Sequence, residues 1–266
     1  MKKILVILMA LLLVGGTAAE AKKKKTSHRS KKKTETILPL TKGEAKEYGD
    51  YLTTRFFNLK KGEMNSITLE YPIEGNPKLV NAMRTEIKNY LDPDFQGSLD
   101  NPEALMRHVM KNVSDISYGQ EGESLNTTIE ILYSTPEVVT LGNTGDSYMG
   151  GAHGMAWDSG TTFLVGDGTV FTTEMLPPFE VMRPYILEGL AENFGTTVRG
   201  LSDVLLVNDS ELDYPATVII LADGLNFIYA PYEIAPWSAG IPRAVVPVDN
   251  NIFSRLSSEG KKFFKD

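Results

Sequence analysis

The chain has 266 residues, contains no cysteine and carries a formal net charge of −7. The lack of cysteine excludes disulfides and a lipid-modified cysteine anchor, so the fold must be stabilised by its core alone. Charge is unevenly distributed: from Thr34 onward the chain holds 17 of its 27 basic residues and 33 of its 34 acidic residues, a balance of about −16. This acidity disfavours nucleic acid as a partner and favours cationic partners.

The first 21 residues have the layout of a secretory signal. Lys2 and Lys3 precede the apolar run 4–14, and Ala19 and Ala21 supply the small residues that a signal peptidase prefers. The run is shorter than the roughly 20 residues that a membrane-spanning helix needs. We therefore predict a cleaved signal peptide at 1–21, no transmembrane segment after cleavage, and a periplasmic or secreted protein. A retained anchor is the alternative.

Residues 22–35 form a basic segment that holds eight lysines and arginines. A block of like charges repels itself and is typical of a disordered linker. Clustered lysines are also attracted to acidic surfaces. The segment is therefore either a tail that touches an anionic envelope surface or a soluble spacer.

The next stretch, residues 36–124, reads as an α+β subdomain. Residues 50–59 have a strand-like composition, and residues 66–71 alternate as a half-buried strand does, so we expect a strand there that Pro72 ends. Asn76-Pro77 and Asn101-Pro102 each combine a capping residue with a proline in the first turn. Apolar residues at helical spacing follow both pairs, which predicts two helices.

Residues 125–266 change in character from helix to strand. Glycines and Asp-Gly pairs divide this part into short strands, as hairpin turns do, and two helical patterns interrupt them. Pro184 is expected to begin the first of these helices, and Gly195 to close it. The predicted strands are 127–133, 137–141, 161–165, 169–171, 217–221, 225–229 and 244–246.

Strands and helices are thus segregated along the chain rather than strictly alternating. This order favours an α+β fold with antiparallel sheets and segregated helices over a parallel α/β fold. We predict two closely packed subdomains, 36–124 and 125–266.

One glycine-rich stretch, Tyr148–Gly154, surrounds His153 with three glycines and an alanine. Glycine permits positive φ and a close approach of another group to the main chain. Tyr148 and His153 are therefore candidate binding residues. The stretch lacks the spacing of a phosphate-binding loop, and His153 is more typical of a structural or hydrogen-bonding residue than of a catalytic one.

A second stretch, residues 229–242, is an apolar, aromatic and proline-rich loop. Tyr229, Tyr232 and Trp237 are its candidate binding residues, because such rings stack on sugars or anchor a protein partner. The alternative is that these rings cover the core, since the prolines impose a fixed path on the loop.

Metal chemistry is disfavoured by the count of histidines. Beyond the basic segment only His108 and His153 remain, so a site of three histidines is impossible there. We expect no cofactor, no metal and no catalytic residue.

Tyr148–Gly154 and Phe227–Pro242 together resemble the C-terminal domain of RsiV-type anti-sigma factors. The resemblance covers residues 125–266, and the part before it looks like the small domain that usually precedes this one. Related domains occur in exported bacterial proteins of unknown function and, without catalytic activity, beside peptidoglycan deacetylase domains. In the anti-sigma factors the domain binds lysozyme. The chain carries no recognisable sigma-binding segment and lacks the His-x-x-x-His motif of the deacetylases, so we expect neither activity.

These observations favour an exported, non-enzymatic binding module of the cell envelope, with a lysozyme-like cationic protein or peptidoglycan as its ligand. The alternative is a cell-wall glycan hydrolase or deacetylase that uses His153 and a nearby carboxylate. The surroundings of His153 distinguish the two, because general acid–base chemistry needs that second group within reach.

Overall fold

The computed structural model describes residues 40–116, 124–208 and 210–264. The predicted signal peptide at 1–21 and the basic linker at 22–35 lie outside the described residues. All described residues belong to one compact unit, Glu35–Asp266.

The strands of this unit are β1 Thr41–Tyr48, β2 Leu52–Lys61, β3 Asn65–Gly75, β4 Ser124–Ser134, β5 Val138–Tyr148, β6 Met155–Leu164, β7 Thr217–Leu221, β8 Gly224–Ile228 and β9 Arg243–Val246. Its α-helices are α1 Pro77–Leu91, α2 Pro102–Ile116, α3 Phe179–Asn193 and α4 Asn250–Arg255.

The strands form two sheets. Six strands pair in the order β1-β2-β3-β4-β5-β6, and three pair in the order β7-β8-β9. Every pairing is antiparallel except that of β3 with β4, which are joined through α1 and α2. Parallel neighbours need such a crossover, whereas antiparallel ones do not. The α+β class with largely antiparallel sheets is confirmed.

Two apolar cores lie on these sheets. The first is built by α1 and α2 on one face of the six-stranded sheet, where Met83 and Met106 are fully buried with Ile67 and Leu69. The second is built by α3 and the three-stranded sheet; its fully buried members include Ile186, Leu190, Leu225, Phe227 and Ala244.

The three-stranded sheet contacts the six-stranded sheet through β7. Thr140 Oγ1 donates to Ile220 O at 2.6 Å, and Ile220 N donates to Thr162 Oγ1 at 2.9 Å. A Cβ on Gly160 would lie 3.0 Å from the Ile219 side chain, so the two sheets approach closely there. The predicted subdomain boundary between residues 124 and 125 falls at the start of β4, inside the six-stranded sheet, and stays a prediction.

Two expectations about proline were wrong. Pro72 does not end β3, which continues to Gly75. Strand β3 pairs with β4 only as far as Leu69. Pro72, which has no N–H, therefore costs no hydrogen bond between β3 and β4. Pro184 does not begin α3 but lies inside it, because the helix already starts at Phe179. The ring removes one helical hydrogen bond near the helix start, where the carbonyl of Glu180 would have been the acceptor.

The strands differ from expectation in four further places. The exposed edge strand β1 was not predicted, because seven of its eight residues are exposed and its sequence has no apolar alternation. Strands β5 and β6 are longer than predicted and reach Tyr148 and Met155. The expected strand at 169–171 is reduced to a single bridge between Phe163 and Val170. No helix within the described residues is long and apolar enough to cross a membrane.

Candidate functional site

The glycine-rich stretch is the turn that joins β5 to β6. The two strands pair as far as Ser147 and Met155. Gly150 and Gly151 have φ of 88° and 104°, which side chains other than glycine rarely adopt. A Cβ on Gly154 would lie 2.8 Å from Ser147 O. These glycines are therefore required by the path of the turn.

His153 projects from this turn onto the aromatic loop between β8 and β9. Its Nδ1 lies 2.9 Å from Gly154 O, and its Nε2 lies 2.9 Å from the hydroxyl of Tyr232. Because a carbonyl oxygen can only accept, Nδ1 carries a proton, and in the neutral imidazole Nε2 then accepts from Tyr232. The imidazole also stacks on the ring of Trp237, with 4.4 Å between centroids and 23° between planes. Three of the predicted site residues are thus brought together.

Tyr232 is held in a strained turn. Glu233 N donates to Ala230 O at 3.0 Å, with Pro231 at the second position of the turn. Tyr232 occupies the third position with φ of 68°, and no other non-glycine residue in 40–116, 124–208 or 210–264 has a positive φ. Turns of this type usually place glycine there. Such strain costs about 1–3 kcal/mol and is found preferentially at functional sites.

The other two predicted residues have supporting positions. Tyr229 is 1% exposed and lies in the second core, in line with the alternative that rings of this loop cover the core. A role for Tyr229 in binding stays a prediction. Its hydroxyl donates to Asp213 O at 3.1 Å, and burial raises the pKa of Tyr229. Tyr148 is half-buried and donates to Gly151 O at 3.1 Å, which steadies the glycine turn.

The two loops expose a cluster of apolar side chains. Among the described residues eight large hydrophobic side chains are exposed, and four of them belong to these loops or flank them. They are Met149 at 44%, Met155 at 43%, Tyr232 at 50% and Trp237 at 40%. We call these four residues and His153 the Trp237 surface. Exposed apolar side chains that are grouped in this way mark interaction sites.

An ion pair fastens the end of the aromatic loop to β6. Arg243, the first residue of β9, donates through Nη2 to Asp158 Oδ2, and both side chains are half-buried. A partly buried charge pair is screened less than an exposed pair. This pair and the bond between His153 and Tyr232 hold the aromatic loop against β6 and the glycine turn.

The surroundings of His153 offer little for catalysis. Within the described residues its contacts are Gly154, Tyr232 and Trp237, none of them a carboxylate. His108 lies elsewhere and pairs with Asp92. In the same residues no three His, Asp or Glu side chains converge in a way that would hold a metal ion.

Residues 170–249 match the family model of DUF3298, a protein of unknown function. This DUF3298 segment includes the aromatic loop and begins after the glycine turn, which precedes it in the chain. The narrower resemblance to RsiV-type anti-sigma factors stays a prediction. No curated protein sequence matches the chain.

Two solved structures of DUF3298 proteins resemble the whole fold. One is from Bacteroides fragilis, with a TM-score of 0.59 and 13% identity over 86% of this chain and 98% of that one. The other is from Pseudomonas aeruginosa PAO1, with a TM-score of 0.50 and 14% identity over 85% and 97% of the two chains. At this identity the likeness establishes a shared fold alone.

Sequence reasoning missed three parts of the site. The strained turn has a local sequence signal, because Pro231 stands at the second position of Ala230–Glu233, where tight turns favour proline. Met149 lies in the glycine-rich stretch and Met155 directly follows it, yet the identity of a methionine does not predict its exposure. The Arg243–Asp158 pair joins residues 85 positions apart, so no local sequence pattern predicts it.

Proposed function

We propose that this protein is an exported, non-catalytic binding module of the bacterial cell envelope, and that the Trp237 surface is its binding site. A lysozyme-like cationic protein is the first ligand candidate, and peptidoglycan is the second. The observation that carries the proposal is the contact of His153 with the exposed side chains of Tyr232 and Trp237. The exposed Met149 and Met155 lie in the same turn as His153 and at the start of β6.

The composition of the Trp237 surface suits a protein ligand. Aromatic residues and methionine are enriched at the centres of protein interfaces, and tryptophan and tyrosine are common among the residues that contribute most to binding. Methionine adapts its shape to the partner. Because the surface is fixed in advance by the turn and the ion pair, little ordering entropy is lost on binding.

Charge supports a cationic partner. The part of the chain from Thr34 onward has a balance of about −16. An acidic body accelerates encounter with a basic protein at low ionic strength. Association should therefore slow as salt is added, whereas the apolar contacts of the Trp237 surface should persist.

Peptidoglycan is the second candidate because the rings of His153 and Trp237 form a stacked platform. A flat aromatic face with a polar edge is suited to stacking against a sugar ring. Exposure of the Trp237 ring leaves one side of this platform accessible. The exported location predicted from residues 1–21 would place the module beside such a polymer.

The enzymatic alternative requires a carboxylate near His153. The contacts of His153 within the described residues are a carbonyl, a hydroxyl and an indole ring, which give the imidazole no acid–base partner. The binding function therefore has more support than the hydrolytic one.

The test is a binding measurement on the mature chain with immobilised hen-type lysozyme and, separately, cosedimentation with purified peptidoglycan. Trp237→Ala should weaken binding by at least about tenfold, as loss of a central tryptophan typically does. Met64→Ala is the matched control, since Met64 is also exposed, at 45%, but lies between β2 and β3. No binding of either ligand at low salt, or equal losses in both variants, would refute the proposal.

A further inference from the structure

A cavity of about 650 Å³ opens at the other end of β5 from the Trp237 surface. Strand β5 begins at Val138 on the cavity wall and ends at Tyr148 beside the glycine turn. The wall is completed by the end of β4, the β7–β8 turn, the start of α4 and the C-terminal residues 263 and 264. Its volume falls within the range of small-molecule sites, about 300–1,000 Å³.

The lining of the cavity is one-sided in charge. Among the described residues, the lining includes the carboxylates of Glu137, Asp223 and Asp249 and no lysine, arginine or histidine. None of these three acids forms an ion pair with a described residue. A concave site lined by one sign of charge concentrates ligands of the opposite sign.

Aromatic rings form another part of the wall. Tyr133, Phe253 and Phe264 line the cavity and are each partly exposed. The face of such a ring attracts an ammonium or a guanidinium group. Phe253 already has a cation 5.9 Å from its ring centroid, namely Lys261 Nζ, which is not part of the lining and donates to Ser254 O.

A buried amide behind this wall holds one of the carboxylates in place. The side chain of Asn226 is fully buried, and its Nδ2 donates to Asp223 Oδ1 at 2.8 Å and to Gly224 O at 3.4 Å, both atoms of lining residues. The second oxygen of the Asp223 carboxylate can still accept from a ligand.

We propose that the cavity binds an organic cation with several N–H donors, that is, an alkylammonium or guanidinium group. The carboxylates supply charge and accept from the ligand's N–H groups, and the rings supply cation–π contacts. The group can be presented by a basic side chain of a polypeptide or by a free polyamine. This site is separate from the Trp237 surface and does not depend on the function proposed there.

The proposal is tested by calorimetric titration of the mature chain with three probes: spermidine, a trilysine amide and a triarginine amide. A triserine amide is the uncharged control. We expect the cationic probes to bind and the triserine amide not to bind. Tighter binding of spermidine identifies a free polyamine as the source, and tighter binding of the peptides identifies a polypeptide; both results support the site.

Variants locate the binding. Glu137→Gln with Asp223→Asn should weaken the cationic probes by about tenfold or more. The control pair Glu44→Gln with Asp203→Asn makes the same change in net charge at exposed positions outside the lining and should alter affinity by less than about threefold. Phe253→Leu should weaken binding by about two- to fivefold through loss of the ring face. Thermal unfolding of each variant confirms that it is folded.

Three results would overturn the proposal. The first is no binding of any cationic probe at millimolar concentration. The second is equal weakening in both charge pairs, which would assign the attraction to the overall acidity of the protein. The third is loss of binding in Trp237→Ala, which would place the cation at the Trp237 surface. If Trp237→Ala abolishes lysozyme or peptidoglycan binding and leaves the probes unaffected, the two sites are independent.

Discussion

Glu70 and His153 both accept a hydrogen bond from a tyrosine, yet they lie in regions with opposite properties. Glu70 accepts from the hydroxyl of Tyr48 at 2.6 Å, and its side chain is 1% exposed. His153 accepts from Tyr232 at 2.9 Å at the surface, and Tyr232 lies in a strained turn. The side chains of Tyr232 and Trp237 that contact His153 are exposed. The same type of bond therefore serves the fold in one place and prepares a surface in the other.

The difference follows from what each group satisfies. Glu70 also accepts from Thr54 Oγ1 at 2.8 Å and, through Oε2, from Ile131 N at 3.0 Å. Ile131 lies where the register of β4 shifts, and Glu70 lies just beyond the last pair between β3 and β4. The carboxylate thus takes the place of missing ladder bonds. A fully satisfied buried group indicates stability, whereas strain with exposed apolar side chains indicates binding.

Replacing Glu70 should produce the largest change in this comparison. Glu70→Ala leaves the donors of Tyr48, Thr54 and Ile131 without their acceptor and should lower the free energy of unfolding by about 3 kcal/mol. Urea unfolding measures this loss. Glu44→Ala, at an exposed position of β1, is the control and should change stability by less than about 0.5 kcal/mol. Similar values for the two variants would mean that the Glu70 cluster does not stabilise the sheet.

The sheet region around Glu70 and the Trp237 surface also differ in how far they can be predicted from the sequence. The helices α1 and α2 were predictable because Asn76-Pro77 and Asn101-Pro102 are local signals; Asn76 Oδ1 does accept from Lys78 N at 3.0 Å. The strand at 66–71 was predictable because apolar and polar residues alternate there, with Ile67, Leu69 and Tyr71 on the core face. The full lengths of β5 and β6 were not predictable. Their polar ends show no apolar alternation, and they form strands because the two ends pair with each other.

The site was predictable in its residues and not in its assembly. The glycines around His153 and the rings of the aromatic loop stand out by composition, so His153, Tyr232 and Trp237 could be nominated. Their contact joins residues 79 positions apart and follows from the pairing of distant strands. Tyr229 was nominated by the same composition but is buried, because β8 turns alternate residues toward the second core.

High pH should weaken the contribution that the buried Tyr229 makes to stability. Burial, with the nearby Glu233 and Asp213 carboxylates, raises the pKa of Tyr229 above its usual value of about 10. The unfolded chain therefore loses this proton first, and the stability that Tyr229 contributes is full below about pH 10 and falls as the pH rises further. The loss approaches about 1.4 kcal/mol for each pH unit.

Urea unfolding between pH 8 and 11 compares the wild type with Tyr229→Phe. Tyr229→Phe should make the decline in stability less steep. Parallel curves for the two proteins would mean that burial does not raise the pKa of Tyr229 in the folded protein.

A backbone change in the glycine turn should have an intermediate effect. Gly151 has φ of 104°, and a Cβ added there would meet no atom within 4 Å, so Gly151→Ala introduces conformational strain and no clash. We expect a loss of about 1–2 kcal/mol in stability, together with weaker ligand binding as the turn shifts His153. Gly166→Ala is the matched control, because Gly166 also has open space and lacks a positive φ. Equal losses would show that the turn tolerates side chains and that its shape is not set by glycine.

The smallest change in stability is expected for Tyr232→Gly. Glycine relieves the positive φ at this position, worth about 1 kcal/mol, while removal of the hydroxyl and the added freedom of the unfolded chain cost a similar amount. The free energy of unfolding should therefore stay within about 0.5 kcal/mol of the wild-type value, while affinity for the ligand of the Trp237 surface falls. A loss of 2 kcal/mol or more would mean that Tyr232 stabilises the fold as Glu70 does. The strain in its turn would then be offset by packing, and the Trp237 surface would lose its clearest sign of a binding role.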